Sequence, residues 1–190
     1  MDDISILNSS RRLHPIMRFK GGPTQDEVMA VSIQKLGLKK GDVVADIGCG
    51  TCKVAMAMAE IAEKVYAVDV RKEAMDVSRV KLNTWGKNNV ELRHQDGIDF
   101  LKECDHLDGA FVGGTRRLDE MLALLKDRVD GRIVVNTVLL SSMNKAVVSM
   151  NKLGIFKEAI HVQVSRSHDL AGSIMFRPID PVFIIVGEVN

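Results

Sequence analysis

Val43-Val44-Ala45-Asp46-Ile47-Gly48-Cys49-Gly50-Thr51 runs from an apolar strand into a glycine turn, and a helical apolar pattern follows from Lys53. Such a turn brings a ligand against bare backbone at the start of a helix, because Gly48 and Gly50 have no Cβ to stand in the way. A second apolar strand, Val65-Tyr66-Ala67-Val68, ends on Asp69. An acid at that place can accept hydrogen bonds from both hydroxyls of a ribose, and it can equally cap the helix that begins near Glu73. The turn lacks the GxxxxGKS pattern of a phosphate loop, and a GxGxxG reading would need glycine where Lys53 stands.

Working outward, Thr24 can cap a helix with Glu27 closing a capping box, and Val28, Met29, Val31, Ile33 and Leu36 supply its apolar side. Downstream, helical patterns over 53–63, 73–85, 118–125 and 140–153 alternate with apolar strands at 65–69, 90–94, 109–112 and 132–135. That exchange predicts parallel βαβ units. The helices then stop. Strands at 160–164 and 182–186 form an antiparallel finish, joined by a long connection that carries Arg166, His168, Asp169, Gly172 and Arg177. A connection of that length invites a functional reading.

The 190 residues fit one domain with a short lead-in over about 1–23, and the 46% apolar content can fill a core. Charges nearly cancel at +1, which argues against a dedicated nucleic-acid binder; the local exception is the lead-in with Arg11, Arg12, His14, Arg18 and Lys20. Cys49 and Cys52 have CxxC spacing but no second pair, so they and Cys104 read as ordinary thiols rather than a zinc or disulfide framework. Reduced thiols and the lack of a long apolar span predict a cytoplasmic protein that does not enter a membrane.

Asp96-Gly97 stands at the end of the third strand, where an Asp can meet a purine amino edge or cap a helix. Gly113-Gly114 ends the fourth strand and leaves room for a bulky planar substrate, or is simply a strand-to-helix turn. Arg166 and Arg177, with His168, could hold the carboxylates of an anionic ligand, since arginine pairs with each carboxylate through two hydrogen bonds.

Asp46-Ile47-Gly48-Cys49-Gly50-Thr51, Asp69 and Gln95-Asp96-Gly97 resemble the first three motifs of class I S-adenosylmethionine-dependent methyltransferases. Over residues 15 to 190 the chain is similar to the decarboxylating cobalt-precorrin-6B C15-methyltransferases, also described as precorrin-8w decarboxylases. The segments Gly22-Pro23-Thr24-Gln25-Asp26-Glu27-Val28, Phe111-Val112-Gly113-Gly114, Val134-Val135-Asn136 and Met175-Phe176-Arg177-Pro178 carry that likeness. Cys52, where many class members have glycine, and Asp180, often asparagine in this family, are departures.

The resemblance implies a Rossmann-like three-layer α/β sandwich around a mostly parallel seven-stranded sheet with an antiparallel final strand. It implies S-adenosylmethionine at Thr24, Asp46, Gly48, Cys49, Gly50, Thr51, Asp69, Asp96 and Gly97. An anionic cobalt-precorrin tetrapyrrole would meet Gly113, Gly114, Asn136, Arg166, His168 and Arg177. Methylation of C15 with loss of carbon dioxide from the C12 acetate arm, in cobalamin biosynthesis, is the implied reaction, and a homotetramer the implied assembly. No residue is singled out as acid or base, and no metal ligand is expected. A tRNA or other nucleic-acid methyltransferase, or a noncatalytic cofactor-binding protein, would share the turn.

Overall fold

The computed structural model describes residues 24–189, so the basic lead-in over 1–23 lies outside the described residues. The chain order is α1 (Asp26–Leu36), β1 (Val43–Ile47), α2 (Lys53–Met58), β2 (Lys64–Val68), α3 (Lys72–Trp85), β3 (Val90–Arg93), α4 (Gly97–Glu103) and β4 (Leu107–Val112). It continues with α5 (Leu118–Arg128), β5 (Val129–Thr137), α6 (Leu140–Leu153), β6 (Phe156–Val162), β7 (Ser165–Leu170), β8 (Ser173–Pro178) and β9 (Val182–Glu188). Seven strands form one sheet in the order β3-β2-β1-β4-β5-β9-β6. The pairs from β3 through β5 are parallel, and β9 runs antiparallel to both β5 and β6.

The central strands β1, β4 and β9 are largely apolar because both faces of the sheet are covered there, whereas the edge strands β3 and β6 carry exposed polar residues. In β1, Ala45 and Ile47 enter the core with Ile98 and Leu101 of α4, Leu122 and Leu125 of α5 and Met150 of α6. Val44, on the other face, joins the core of Val28 and Leu36 from α1, Val54 and Met58 from α2 and Met75 from α3. This is a three-layer sandwich. Strand order reverses at β1 and β4, and the C-terminal edge beside that reversal is where open α/β sheets bind ligands.

Three local expectations are corrected. Helix α1 starts behind Gln25 without a side-chain cap, so Thr24 and Glu27 form no capping box; Glu27 instead pairs with Arg166, Oε2 to Nη2 at 2.6 Å. Helix α2 ends at Met58 rather than residue 63. The capping reading of Asp96 holds: its side chain accepts the Ile98 N–H at the start of helix α4. The long connection is a β-hairpin, β7 with β8, turning through Ala171 and Gly172 at φ 48° and 78°. Strand β7 hides from a periodicity reading because Ser165, Arg166, Ser167, His168 and Asp169 offer no apolar face, and the apolar run of β8, Ile174 to Phe176, is too short to mark a strand alone.

Candidate functional site

The turn after β1 is held from below by β2: the Gly48 and Cys49 N–H groups both donate to the Val68 carbonyl, at 2.8 and 3.1 Å. Gly48 and Gly50 adopt φ of +81° and +55°, a region that L side chains enter at a cost, so glycine is required here for conformation as well as for space. The Gly50 N–H then donates to Asp69 Oδ2 at 2.9 Å, which ties the turn to the acid at the end of β2.

Asp69 is almost fully enclosed and accepts three further bonds from Arg71: from the backbone N–H at 2.9 Å, from Nε at 3.0 Å and from Nη2 at 2.8 Å. Burial pushes its carboxyl up, but the Arg71 side chain and the two backbone donors outweigh burial and hold it below the usual carboxylate value. Asp96 is likewise held low, by the Ile98 N–H and by Arg116 at 2.7 Å despite partial burial.

Asp46 differs from both. It is buried beneath the turn, and neither carboxylate oxygen has a hydrogen-bond partner among the described residues. Burial, with the neighbouring negative charge of Cys52 and Asp69, pushes its carboxyl well above the usual range; the nearby Ala55 N–H opposes that shift without reaching hydrogen-bond geometry. An unpaired buried carboxylate is costly unless it is neutral or meets a cation.

Two cavities open along this edge. The smaller, about 150 Å³, is lined by Gly48, Asp69, Val70, Asp96, Gly97 and Gly114, with Arg116 and Met121 at its sides. Gly97 lacks a Cβ because one would fall 2.5 Å from Ile47 Cγ2, so the start of α4 can lie against the end of β1. The larger, about 800 Å³, is lined by Val28, Phe111, Gly113, Asn136, Leu139 and Asp180 among others, a volume within the range of ligand cavities. Thr115 belongs to both.

The partition between the cavities is bare backbone. A Cβ on Gly48 would sit 3.0 Å from the Gly114 nitrogen, and one on Gly113 would sit 3.0 Å from the Gly48 oxygen. Gly113 therefore has a packing reason to be glycine, two touching main chains, besides its place in the lining of the larger cavity. A Cβ on Gly114 would meet nothing within 4 Å, so that position is the open one.

Of the sequence-predicted residues, Gly48, Asp69, Asp96, Gly97 and Gly114 meet in the smaller cavity, while Asp46, Cys49, Gly50 and Thr51 form the turn beside it. Thr24, Gly113 and Asn136 line the larger cavity. Asn136 is fixed there by Ser32, whose hydroxyl accepts its amide at 2.8 Å. Arg166, His168 and Arg177 are not brought into either lining. They share the hairpin face on which Arg166 pairs in register with Arg177.

Val70, Arg71, Thr115, Val138 and Leu139 were not singled out from sequence. An exposed apolar residue directly after the β2 acid was the available signal for Val70, half exposed in the structure. Nothing in the sequence pattern marks Arg71 as the partner of Asp69.

A mostly parallel seven-stranded sheet with one reversed strand, a glycine turn after β1 and acids ending β2 and opening α4 define a class I methyltransferase. The family model for the precorrin methyltransferase domain matches residues 18–187, and the chain belongs to that family. A Methanosarcina mazei protein named "Probable cobalt-precorrin-6B C(15)-methyltransferase (decarboxylating)" is 43% identical over 178 residues, covering 91% of this chain and 97% of that one. Among solved structures, a precorrin-8w decarboxylase from Methanobacterium thermoautotrophicum superposes with a TM-score of 0.84 at 31% identity, covering 88% of this chain and 92% of the other. A precorrin-6y C5,15-methyltransferase from Geobacter metallireducens gives a TM-score of 0.84 at 28% identity over 90% and 93% of the two chains.

Proposed function

We propose that this chain methylates C15 of a cobalt-precorrin with S-adenosylmethionine and releases carbon dioxide from the C12 acetate arm, a step of cobalamin biosynthesis. The observation that carries the reading is the meeting of a small acid-lined cleft and a larger cavity at the Gly113-Gly114-Thr115 corner. Family membership supports the rest.

The residues present fit the cofactor. Asp69 offers a carboxylate for ribose hydroxyls, and Val68, Val70, Ile47 and Met121 give apolar walls for a purine, with Asp96 at its edge. The unpartnered carboxylate of Asp46 fits a cationic methionine end behind the turn. Bound there, S-adenosylmethionine supplies a methyl group already activated by its positive sulfur.

The chain's own work is then orientation and exclusion of water rather than strong base chemistry. Phe111, Val28, Val138 and Leu139 provide a broad apolar surface for a planar macrocycle, while Asn136, Thr137 and Asp180 supply polar contacts. Gly114 keeps the corner clear for the nucleophilic carbon. Loss of carbon dioxide uses the conjugated macrocycle as electron sink, and Arg166, His168 and Arg177 would steer carboxylate arms that extend beyond the cavity. Residues 24–189 act as one catalytic unit in this reading, assembled as a homo-oligomer through the exposed Ile174 and Phe176 on the opposite face of the hairpin.

The test is incubation of the corrinoid precursor with isotopically labelled S-adenosylmethionine, followed by mass measurement. One methyl gained and one carbon dioxide lost is the expected product. Methyl gain alone would remove the decarboxylase half, and preferential high-affinity binding of tRNA would overturn the substrate class.

A further inference from the structure

Cys49 and Cys52 are both buried, and no step of the proposed reaction uses them. Their sulfurs lie 3.6 Å apart, sharing a hydrogen bond beneath the turn. The backbone arranges this: Cys52 N–H donates to the Cys49 carbonyl at 2.9 Å, closing a tight turn over Gly50 and Thr51. Cys52 takes φ +58° as the residue that opens α2, a left-handed conformation that glycine adopts freely and cysteine does not.

The surroundings polarise the pair. The hydrogen bond shared with Cys49 and the Lys81 ammonium hold the Cys52 thiol below its usual value against the effect of burial. The same sulfur–sulfur bond, then burial and the charges of Asp46 and Asp69, push the Cys49 thiol up. Of the two sulfurs, Cys52 is the one whose surroundings favour the thiolate. Ser78 and Lys81 of α3 also grip the turn itself, donating to the carbonyls of Gly50 at 3.0 Å and Thr51 at 3.3 Å.

We infer that Cys49 and Cys52 are a reversible redox pair, oxidised to a disulfide by a peroxide, and that the oxidised turn no longer accepts the nucleoside cofactor. The clause about the cofactor rests on the proposed function; the dithiol itself does not. Cys49 is 8% exposed and Cys52 is fully enclosed, so the oxidant must be a small one, and peroxide is that class. The Cys52 thiolate attacks one peroxide oxygen, the O–O bond breaks, and hydroxide leaves and takes a proton, giving the sulfenic acid and water. The Cys49 sulfur then attacks the Cys52 sulfur, the S–O bond breaks, and the departing hydroxide takes the Cys49 proton as a second water. Two thiols lose two electrons, and the two peroxide oxygens gain them.

The effect on the site follows from connectivity. Bond formation draws the sulfurs from 3.6 Å to about 2.05 Å and rotates the turn between them. Within that turn, Gly50 N–H is the donor that binds Asp69. Closing the disulfide therefore moves the backbone that sets the ribose acid, next to where the methionine end would lie.

The experiment uses the full chain, reduced and then treated with stoichiometric hydrogen peroxide. Alkylation under denaturing conditions with intact and peptide mass measurement counts the thiols, and titration with S-adenosylhomocysteine reads the cleft. The expected result is two blocked thiols joined within one 49–52 peptide, affinity lowered at least tenfold, and both changes reversed by dithiothreitol. Cys52→Gly, which suits the φ of +58°, should be insensitive to peroxide, whereas Cys104→Ala should respond like the parent. A product carrying only added oxygen, or a disulfide that includes Cys104, overturns the redox pair. A 49–52 disulfide with unchanged affinity overturns the coupling to the cleft. Should the reduced chain itself fail to bind S-adenosylhomocysteine, the proposed function falls while the thiol count still decides the pair.

Discussion

Arg71 closes over both carboxylate oxygens of Asp69, Nε to Oδ1 at 3.0 Å and Nη2 to Oδ2 at 2.8 Å, while the backbone N–H groups of Arg71 and Gly50 take one oxygen each. Four donors fill roughly the four lone-pair sites a carboxylate has. Ribose hydroxyls that bind Asp69 must therefore displace the guanidinium, and the ligand competes with a side chain of the protein. Arg71→Met removes the competitor and strands a buried charge, so the unliganded variant should melt below the parent. Saturating S-adenosylhomocysteine should then raise its melting temperature by more than it raises the parent's, because binding restores partners to Asp69. An equal or smaller ligand-induced shift, read by calorimetry, would mean that Arg71 stays in place when the cleft fills.

The two glycines after β4 should separate stability from turnover. Gly113→Ala forces a methyl to within 3.0 Å of the Gly48 carbonyl oxygen and should cost about 1–3 kcal/mol, seen as a lower midpoint in urea. Gly114→Ala meets no neighbour and has no positive φ, so its midpoint should match the parent. Its methyl nevertheless enters the corner where the cavities meet, and methyl transfer should slow about tenfold or more. Comparable loss of stability in both variants would contradict the partition described above.

The same corner shows what a sequence can convey. The parallel half was readable because Val43–Ile47 and Lys64–Val68 are mostly apolar on both faces and are followed by distinct markers, a glycine turn that takes positive φ and an acid. The end of β4 was less clear: Gly113-Gly114 read either as space for a ligand or as a turn, and the small size of Gly113 also answers to Gly48, 65 positions earlier in the chain. Glu27 was read as the partner of Thr24, a neighbour, and is held by Arg166 from the hairpin. Both positions teach one thing: a local motif competes with a tertiary partner, and only the packed chain decides. The hairpin gave little signal, since its strands are exposed on both faces and only Ile174, Met175 and Phe176 of β8 are apolar.

The Glu27–Arg166 pair joins α1 to the base of the hairpin, and the large cavity lies between Gln25 and Val28 on one side and Pro178 and Ile179 on the other. Both charges are exposed, and exposed pairs add little to stability. Glu27→Gln should leave the melting temperature essentially unchanged. It should instead loosen the cavity mouth, raising KM for the tetrapyrrole several-fold at unaltered affinity for S-adenosylhomocysteine. Steady-state kinetics at saturating cofactor would show the effect, and an unchanged KM would confine the pair to the surface.

Asp46 and Asp69 should respond to pH with opposite signs. Asp69 is held low in the folded chain, so its contribution is present above the unfolded carboxyl value near 3.9 and is lost as pH falls through the folded value. Asp46 is raised, so the folded chain keeps a proton that the unfolded chain releases, and stability falls as pH rises from about 3.9 toward the folded value. Asp46→Asn, nearly the same shape and uncharged, should melt above the parent at pH 7–8 by about 2–4 °C for each kcal/mol recovered, with the gain shrinking toward pH 4. The cost should appear in binding. A cationic methionine end favours the ionised carboxylate, so S-adenosylmethionine binding to the parent should release a proton, detected as a calorimetric enthalpy that depends on the buffer's ionisation heat. Asp46→Asn should bind about tenfold more weakly and lose that dependence; a variant that is stabilised yet binds with the parent's affinity and proton release would place the cation elsewhere.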